Sequence, residues 1–421
     1  MFFAFLLTGV FFYLNQFFAA RLLGTATYGE FGALSSLSFF LQFILFTFLT
    51  LLIGNSISKF KGQNNLQIIP IFHSRMLLYI TLTGVAAFII FSLLSGQIAN
   101  FLHIDSVILI FFIGILFLFC WILPVNLGVM QGLQRFNHMA LLNFLPAALK
   151  FFLSVTLMII GFGLFGAVGG LVIGFIIAVI ISFYLLRDLI RFPGLKKSSL
   201  STSDPENASF SAREINREIK GVVRYSFPVI FAVICIAIPT NIDVVLIKHF
   251  FTSENAGLYT AVSVFGRAML SVSVAITTVM YPKVVEAHTQ KSETRNILNK
   301  SLLYTGLSAG AAAILLYILP NFFLGLFYGE EFLGAGSFLK IYGIFIFFFS
   351  LTTVLVYNSL AKNRYGFIYL FAALSFLEIG LIWLYHSSIL NVIQIFLIIS
   401  VITFVIGVCL NYSYPSVNTE A

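Results

Sequence analysis

Four ionisable residues lie inside long apolar stretches of the sequence. They are Lys150, Asp243, Arg267 and Glu378. A charged side chain is costly in the hydrocarbon of a membrane, so it usually pairs with another charge, faces a polar cavity or serves transport. The guanidinium of an arginine binds phosphate oxygens through two parallel hydrogen bonds, and a desolvated glutamate can take up a proton near neutral pH. These residue types therefore favour anion binding and coupling to an ion.

Asp243 and Arg267 lie on consecutive predicted helices. At 1.5 Å per residue, Asp243 is about 10 Å and Arg267 about 15 Å from the outer ends of their helices, so the two side chains reach similar depths. Two interpretations are open. Asp243 and Arg267 form an ion pair that fastens the helices, or Arg267 binds a pyrophosphate in a cavity while Asp243 holds it ready.

The two halves of the sequence resemble each other. Residues 22–37 align without gaps with residues 250–265, which matches Gly29 to Gly257. The offset is about 228 residues, as expected of an internal repeat in a membrane transporter. The basic segment 132–139 falls against 359–366 near the same offset, so the similarity continues along the halves.

This offset gives Asp243, Lys150 and Glu378 polar counterparts. Asn15, next to Gln16, matches Asp243, and Lys150 matches Glu378. We expect all of these residues to face a shared substrate cavity. Lys150 either pairs with Glu378 or supplies a second cation for a diphosphate, and Glu378 is the candidate carboxylate for ion coupling.

The composition is that of a membrane protein. Sixty per cent of the residues are hydrophobic and only 9 % are charged, against about 25 % charged in soluble domains. Twelve apolar runs are long enough to span a bilayer. They lie near 2–20, 31–54, 76–98, 107–130, 139–162, 164–186, 227–251, 258–281, 301–324, 336–357, 367–385 and 391–411. In the sixth run, the spacing of Gly166, Gly170 and Gly174 predicts close helix packing.

The basic residues predict the orientation. Most of the 23 Lys and Arg residues fall in the even-numbered connections, which places both termini in the cytoplasm. The net charge of +8 then reflects topology and not binding of nucleic acid. The longest polar stretch, 187–224, is a predicted cytoplasmic linker between six-helix lobes at 1–186 and 225–421.

Several motifs occur in a fixed order along the chain. They are ARLLGTATYGEFGALSSL (20–37), GLQRF (132–136), NIDVVLIKHFFTSENAGLYTAV (241–262), YPKV (281–284), LFYGEEFLGAGSFLKIYG (326–343) and SLAKNRYGF (359–367). Together they resemble the Wzx-type polysaccharide flippases of the multidrug/oligosaccharidyl-lipid/polysaccharide (MOP) exporter superfamily.

The resemblance implies an all-α fold with two six-helix lobes in a V, as in the multidrug (MATE) branch of that superfamily. It implies alternating access, by which undecaprenyl-pyrophosphate-linked oligosaccharide units cross the bacterial cytoplasmic membrane for surface polysaccharides such as the O-antigen of lipopolysaccharide. The implied partners are this lipid-linked substrate, membrane lipids, a polysaccharide polymerase and a chain-length regulator. The first helix has Asn15 and Gln16 but no charge, so a charge-based cation site is not carried over to it.

Two other functions remain open. A cation-coupled multidrug exporter would favour carboxylates in its cavity, whereas this chain has two basic and two acidic residues at mid-membrane. A polysaccharide polymerase or ligase would need a large outer loop, and the outer loops are short. No nucleotide-binding, zinc-protease or nucleophile-elbow motif is present, so we expect neither an enzyme nor a cofactor or metal.

Overall fold

The computed structural model describes residues 2–63, 67–190, 231, 234–290 and 292–413, and within these ranges every regular element is helical. The α-helices are α1 (Phe2–Gly62), α2 (Ile68–Leu93), α3 (Ser95–Leu102), α4 (Val107–Gly132), α5 (Phe136–Leu157), α6 (Gly163–Leu185), α7 (Arg187–Ile190), α8 (Asp243–Phe250), α9 (Ser253–Thr289), α10 (Arg295–Ile318), α11 (Pro320–Phe327), α12 (Gly336–Ala361), α13 (Tyr365–Leu384) and α14 (Ile389–Ser413). Two π-helical turns, Met158–Phe162 and Ile238–Ile242, and a 3₁₀ segment, Glu330–Ala335, complete them.

Nine helical stretches of the described chain are long and apolar enough to cross a membrane. Two of them are double. Helix α1 is broken at Gly24, whose φ is 72°, and so contains the first two predicted spans. The stretch Phe136–Leu185 is broken at Gly161, whose φ is 102°, and contains the fifth and sixth. The chain is therefore an all-α polytopic membrane protein, and the seventh predicted span, 227–251, is described only in part.

Two predicted spans each run across a break between two α-helices. The run 76–98 covers the end of α2 and the start of α3, and the run 301–324 covers the end of α10 and the start of α11. In the second case the cause is local. Pro320 disfavours a helical conformation in the residue before it, and Leu319 has φ −121° and ψ 45°. Hydropathy does not register such a break, because the residues on both sides are apolar.

The chain forms two compact units. The first unit is Met1–Leu22 with Leu34–Val233, and the second unit is Leu23–Ala33 with Ile234–Ala421. The segment Leu23–Ala33, which the sequence places in the first lobe, is thus grouped with the second. Of the predicted linker 187–224, only residues 187–190 are described, in α7, and the rest lies outside the described residues.

Glycine packing explains why Leu23–Ala33 belongs to the second unit. A Cβ atom on Gly29 would lie 2.0 Å from the carbonyl oxygen of Ser253, and one on Gly257 would lie 1.9 Å from that of Thr25. Only residues without a side chain allow two backbones to approach so closely. Gly29 and Gly257 are also the residues that the internal repeat matches.

Candidate functional site

Asp243 is a fully buried ionisable residue of the second unit. It begins α8, directly after the π-helical turn that contains Pro239, and its side chain is 1 % exposed. Its Oδ2 atom accepts hydrogen bonds from the hydroxyls of Tyr259 at 3.0 Å, Tyr342 at 3.1 Å and Ser263 at 3.3 Å. Hydrogen bonds to a charged acceptor are the stronger kind, so these donors offset much of the cost of burying the carboxylate.

Three helices position this cluster. Tyr259 and Ser263 lie one turn apart on α9, and Tyr342 lies on α12. The rings of Tyr259 and Tyr342 meet edge to face with centroids 5.7 Å apart. Gly266 of α9 leaves room for the second ring, because a Cβ atom there would lie 2.3 Å from Cε1 of Tyr342. The site therefore depends on tight packing of α9 against α12.

The expected direct pair between Asp243 and Arg267 is corrected by this geometry. Within the described chain, the donors to Asp243 are the three hydroxyls and not the guanidinium. Arg267 lies one turn beyond Ser263 on α9 and acts on Asp243 through its electrostatic field. The tyrosine hydroxyls take the position that the ion-pair interpretation gave to the arginine.

Glu378 of α13 is a second buried carboxyl in the same unit, with 3 % of its side chain exposed. It interacts electrostatically with Asp243. Oε1 of Glu378 and Oδ1 of Asp243 are both buried, and neither has a hydrogen-bond partner among the described residues. Two carboxyl groups with spare acceptor atoms in an apolar environment can bind a proton or a small cation.

Lys150 is the corresponding ionisable residue of the first unit, and it is held loosely. Its Nζ atom donates to Oε1 of Gln42 at 3.4 Å and lies 4.7 Å from the ring centroid of Phe175 and 5.9 Å from that of Phe39. The backbone of α5 packs closely against α6 here, because a Cβ atom on Gly174 would lie 2.8 Å from the backbone nitrogen of Lys150. The predicted close packing at Gly174 is thereby confirmed.

Asn15 and Gln16 lie on α1 in the first unit and are buried, with 5 % and 1 % of their side chains exposed. Oδ1 of Asn15 has no hydrogen-bond partner among the described residues. The structure thus places Asn15, Gln16 and Lys150 in one unit. It places Asp243, Arg267 and Glu378 in the other. The pairing of Lys150 with Glu378 remains a prediction.

The sequence reasoning missed a buried polar chain in the first unit. Nε2 of His73 lies 2.9 Å from Oδ1 of Asn126, whose Nδ2 donates to Ser182 at 2.7 Å. These residues join α2, α4 and α6. The second unit has a related pair, in which Asn358 of α12 donates to Asn411 of α14 at 2.8 Å. An asparagine near the end of the fourth apolar run of each half, Asn126 inside the run and Asn358 one residue beyond it, was the available signal.

Among the described residues, no group of three or more His, Cys, Asp or Glu side chains could hold a metal ion. The polar sites consist of one or two ionisable groups with neutral donors. Such sites suit protons, monovalent cations or charged groups of a substrate.

Comparison with known proteins adds the family. A profile described as "Polysaccharide biosynthesis protein" matches residues 2–288. The chain belongs to this family. No curated protein sequence matches the chain.

Solved structures show the same fold at low sequence identity. An inward-facing multidrug resistance MATE family transporter of the MOP superfamily matches with a TM-score of 0.78 and 13 % identity, over 98 % of this chain and 96 % of the other. The lipid II flippase MurJ in an inward closed conformation matches with a TM-score of 0.70 and 15 % identity, over 96 % of this chain and 85 % of the other. The eukaryotic MATE transporter AtDTX14 matches with a TM-score of 0.69 and 13 % identity, over 98 % of this chain and 94 % of the other.

The family match and this fold confirm the resemblance that the motifs carried. The chain thus belongs to the family of polysaccharide biosynthesis proteins and has the fold of MOP-type transporters. The matched structures named here are those of two MATE transporters and a lipid II flippase.

Proposed function

We propose that the protein is a flippase for undecaprenyl-pyrophosphate-linked oligosaccharide units. It carries them by alternating access across the bacterial cytoplasmic membrane, with both termini in the cytoplasm, for surface polysaccharides such as O-antigen. A polysaccharide polymerase and a chain-length regulator would receive the product on the outer side. The family match to polysaccharide biosynthesis proteins supports this substrate class.

The observation that carries the proposal is the setting of Lys150. No carboxylate of the described chain lies within ion-pair distance of its ammonium, which is held by one amide oxygen and aromatic rings. A cation in a membrane-spanning helix is costly unless a negative charge compensates it. An anionic substrate would supply that charge. Arg267, on α9 of the second unit, offers a planar fork suited to a phosphate.

The neutral residues have a supporting role in the proposal. Asn15 and Gln16 bring amide groups to the first unit, and amides form hydrogen bonds with the hydroxyls of sugars in both directions. Asp243 holds its tyrosines in place. Its direct role toward the substrate therefore depends on Oδ1, the oxygen that has no partner among the described residues.

Transport is tested with full-length protein in proteoliposomes and a fluorescent polyprenyl-diphosphate oligosaccharide. Lys150→Met should lower the flipping rate by at least about tenfold, the loss expected for one charge-assisted hydrogen bond. Arg267→Lys should keep part of the activity, because the charge stays and the fork is lost. Lys340→Met is the matched control, since Lys340 also lies over an aromatic ring, 5.6 Å from the centroid of Tyr317. A Lys150→Met protein as active as the control would refute the anion-binding role.

Glu378 is proposed to couple transport to an ion. Glu378→Gln keeps the shape and removes the ionisable group, so the dependence of flipping on pH or on sodium should disappear while substrate binding persists. Unchanged ion dependence in this variant would remove Glu378 from the mechanism.

The two buried carboxyls also favour a second candidate, a cation-coupled exporter of multiple drugs. Asp243 and Glu378 would then receive a cationic drug or the coupling ion. Ethidium efflux from cells that express the protein distinguishes the two. Efflux lost in Glu378→Gln, with no flipping of the lipid-linked sugar by the unaltered protein, would favour the exporter.

A further inference from the structure

Gln42 is the polar residue next to Lys150 in the first unit. It lies on the second half of α1, after the break at Gly24, and its Oε1 atom accepts a hydrogen bond from Nζ of Lys150 at 3.4 Å. An ammonium group has donors but no acceptor, so the amide must turn its oxygen toward Lys150. The –NH₂ group of Gln42 therefore lies on the far side of the amide, with two donors of its own.

Two aromatic rings also lie over the ammonium of Lys150. Its Nζ atom is 4.7 Å from the ring centroid of Phe175 and 5.9 Å from that of Phe39. Phe39 precedes Gln42 by one turn of α1. Phe46 follows Gln42 by one turn and meets Phe175 edge to face, with centroids 6.0 Å apart. The face of an aromatic ring is electronegative, so it attracts the ammonium and repels an anion. The rings therefore direct an approaching anion toward the amide of Gln42.

An amide at position 42 keeps the positive charge of Lys150 available. A carboxylate in its place would neutralise the ammonium in an ion pair, whereas the amide oxygen holds it without cancelling its charge. The ammonium has three donors and the amide –NH₂ has two, and among the described residues one of these five forms a hydrogen bond. Lys150 and Gln42 are both partly exposed, so a ligand can reach them. The pair suits an anion with several acceptor oxygens.

We infer that Gln42 binds the diphosphate of the lipid-linked substrate directly, as a second ligand beside Lys150. The ammonium binds one phosphate, and the amide –NH₂ donates to the other. The inference rests on the proposed function and adds a specificity-determining residue to its anion site. Lys150 supplies the charge, and Gln42 supplies direction, because the donors of a planar amide are fixed whereas those of an ammonium rotate.

Binding is measured by microscale thermophoresis of the full-length protein in detergent, with farnesyl diphosphate as the probe. Gln42→Met removes the amide and should raise the Kd at least about tenfold, the loss expected for a hydrogen bond to a charged group. Gln42→Glu keeps the shape and should raise the Kd further, because the carboxylate neutralises Lys150 and repels the diphosphate. Gln97→Met and Gln97→Glu are the matched controls. Gln97 is exposed and lies on α3, whereas α1, α5 and α6 surround Lys150.

Farnesyl monophosphate separates direct contact from support of Lys150. It has one phosphate, which the ammonium binds without Gln42, so Gln42→Met should raise its Kd by less than about threefold. If Gln42 only positioned Lys150, both ligands would weaken by the same factor, and that result would overturn the inference. Gln42→Leu has the same expected effects and serves if Gln42→Met does not fold.

Ordinary membrane lipids also carry phosphate, so dihexanoyl phosphatidylglycerol is titrated as well. Its Kd should not change in Gln42→Met, and a rise equal to that for farnesyl diphosphate would mean a general lipid site, which overturns the inference. Equal weakening in the Gln97 variants would mean an effect unrelated to Lys150, which overturns it too. Unchanged binding of farnesyl diphosphate in Gln42→Met refutes only this inference. An unaltered protein that binds no farnesyl diphosphate refutes the proposed function as well.

Discussion

Asp243 and Lys150 show two ways to keep a charge inside a membrane-spanning helix. Asp243 receives three hydrogen bonds of 3.0 to 3.3 Å from hydroxyls on two other helices. Lys150 has one long contact of 3.4 Å and the faces of aromatic rings. A charge with several short bonds contributes to the packing around it, and a charge with few bonds keeps its donors for a ligand. We therefore propose a mainly structural role for Asp243 and a binding role for Lys150.

The two units share buried asparagine hydrogen bonds and a left-handed turn, whereas their intramembrane charges differ. Asn126 and Asn358 bind the last long helix of their own unit, and both units have the left-handed turn after the fourth span. Backbone geometry and neutral hydrogen bonds thus persist across the repeat. The intramembrane ionisable residues differ between the units, with Lys150 in the first and Asp243, Arg267 and Glu378 in the second.

The difference between Asp243 and Lys150 is tested most directly by removing each charge and measuring stability. Asp243→Ala should destabilise the protein by about 3 kcal/mol, because three buried hydroxyls lose their acceptor. Lys150→Met should change stability by less than about 1 kcal/mol, the worth of a partly exposed cation–π contact. Unfolding in mixed detergent micelles measures both. Arg267→Gln sharpens the result. If it destabilised the protein as much as Asp243→Ala, the guanidinium and not the tyrosines would hold the carboxylate.

A second test moves Lys150 without changing it. Gly174→Val forces a side chain against the backbone of α5, because a Cβ atom at position 174 would lie 2.8 Å from the backbone nitrogen of Lys150. We expect a loss of about 2 kcal/mol from overpacking, together with a loss of transport. Gly169→Ala is the control, since its nearest neighbour would be 4.0 Å away. A Gly174→Val protein with full stability and activity would show that α5 can shift freely.

Removing the buried asparagine of each unit should cause smaller losses of stability, which differ between the units. Asn126→Ala removes the partner of His73 and the amide that donates to Ser182, and Asn358→Ala removes one partner of Asn411. The first should cost about 2 kcal/mol and the second about 1 kcal/mol. Equal losses would mean that the histidine adds nothing to the network of the first unit.

The smallest effect concerns Lys362. Burial and the neighbouring Arg364 lower the pKa of its ammonium to about 8 in the folded protein, from 10.5 as its ordinary value. Between these values the unfolded chain binds more protons, so stability should rise as pH increases from about 8 to about 10.5. Thermal unfolding across this range should show the rise in the unaltered protein and less of it in Lys362→Gln. A rise of the same size in the variant would assign the effect to other groups.

A last measurement tests the orientation on which the transport direction depends. Cysteines placed at Asn363 and Asn255 should be labelled from the cytoplasmic and the outer side, respectively. Cys409 is exposed and would be replaced first, while Cys120 and Cys235 are buried. Labelling of position 255 from the cytoplasmic side would reverse the proposed topology.

The sequence by itself determined the class of the protein and much of its helix plan. Whether a segment can span a membrane depends on its own run of apolar residues, so the long apolar runs predicted the spans. The glycine spacing in the sixth run predicted the close packing of α6 on α5. The order of short motifs predicted the superfamily. Sequence also identified which ionisable residues lie in membrane-spanning helices, since that too is a local property.

Only the tertiary structure decided what each charge contacts. Asp243 is joined to Tyr342, 99 residues further along the chain, and Tyr342 was not distinguishable in sequence from other aromatic residues of an apolar helix. The grouping of Leu23–Ala33 with the second unit likewise depends on how closely Gly29 and Gly257 approach. Depth in the membrane can be counted along one helix, but the face that a side chain presents to another helix follows from packing of the whole unit.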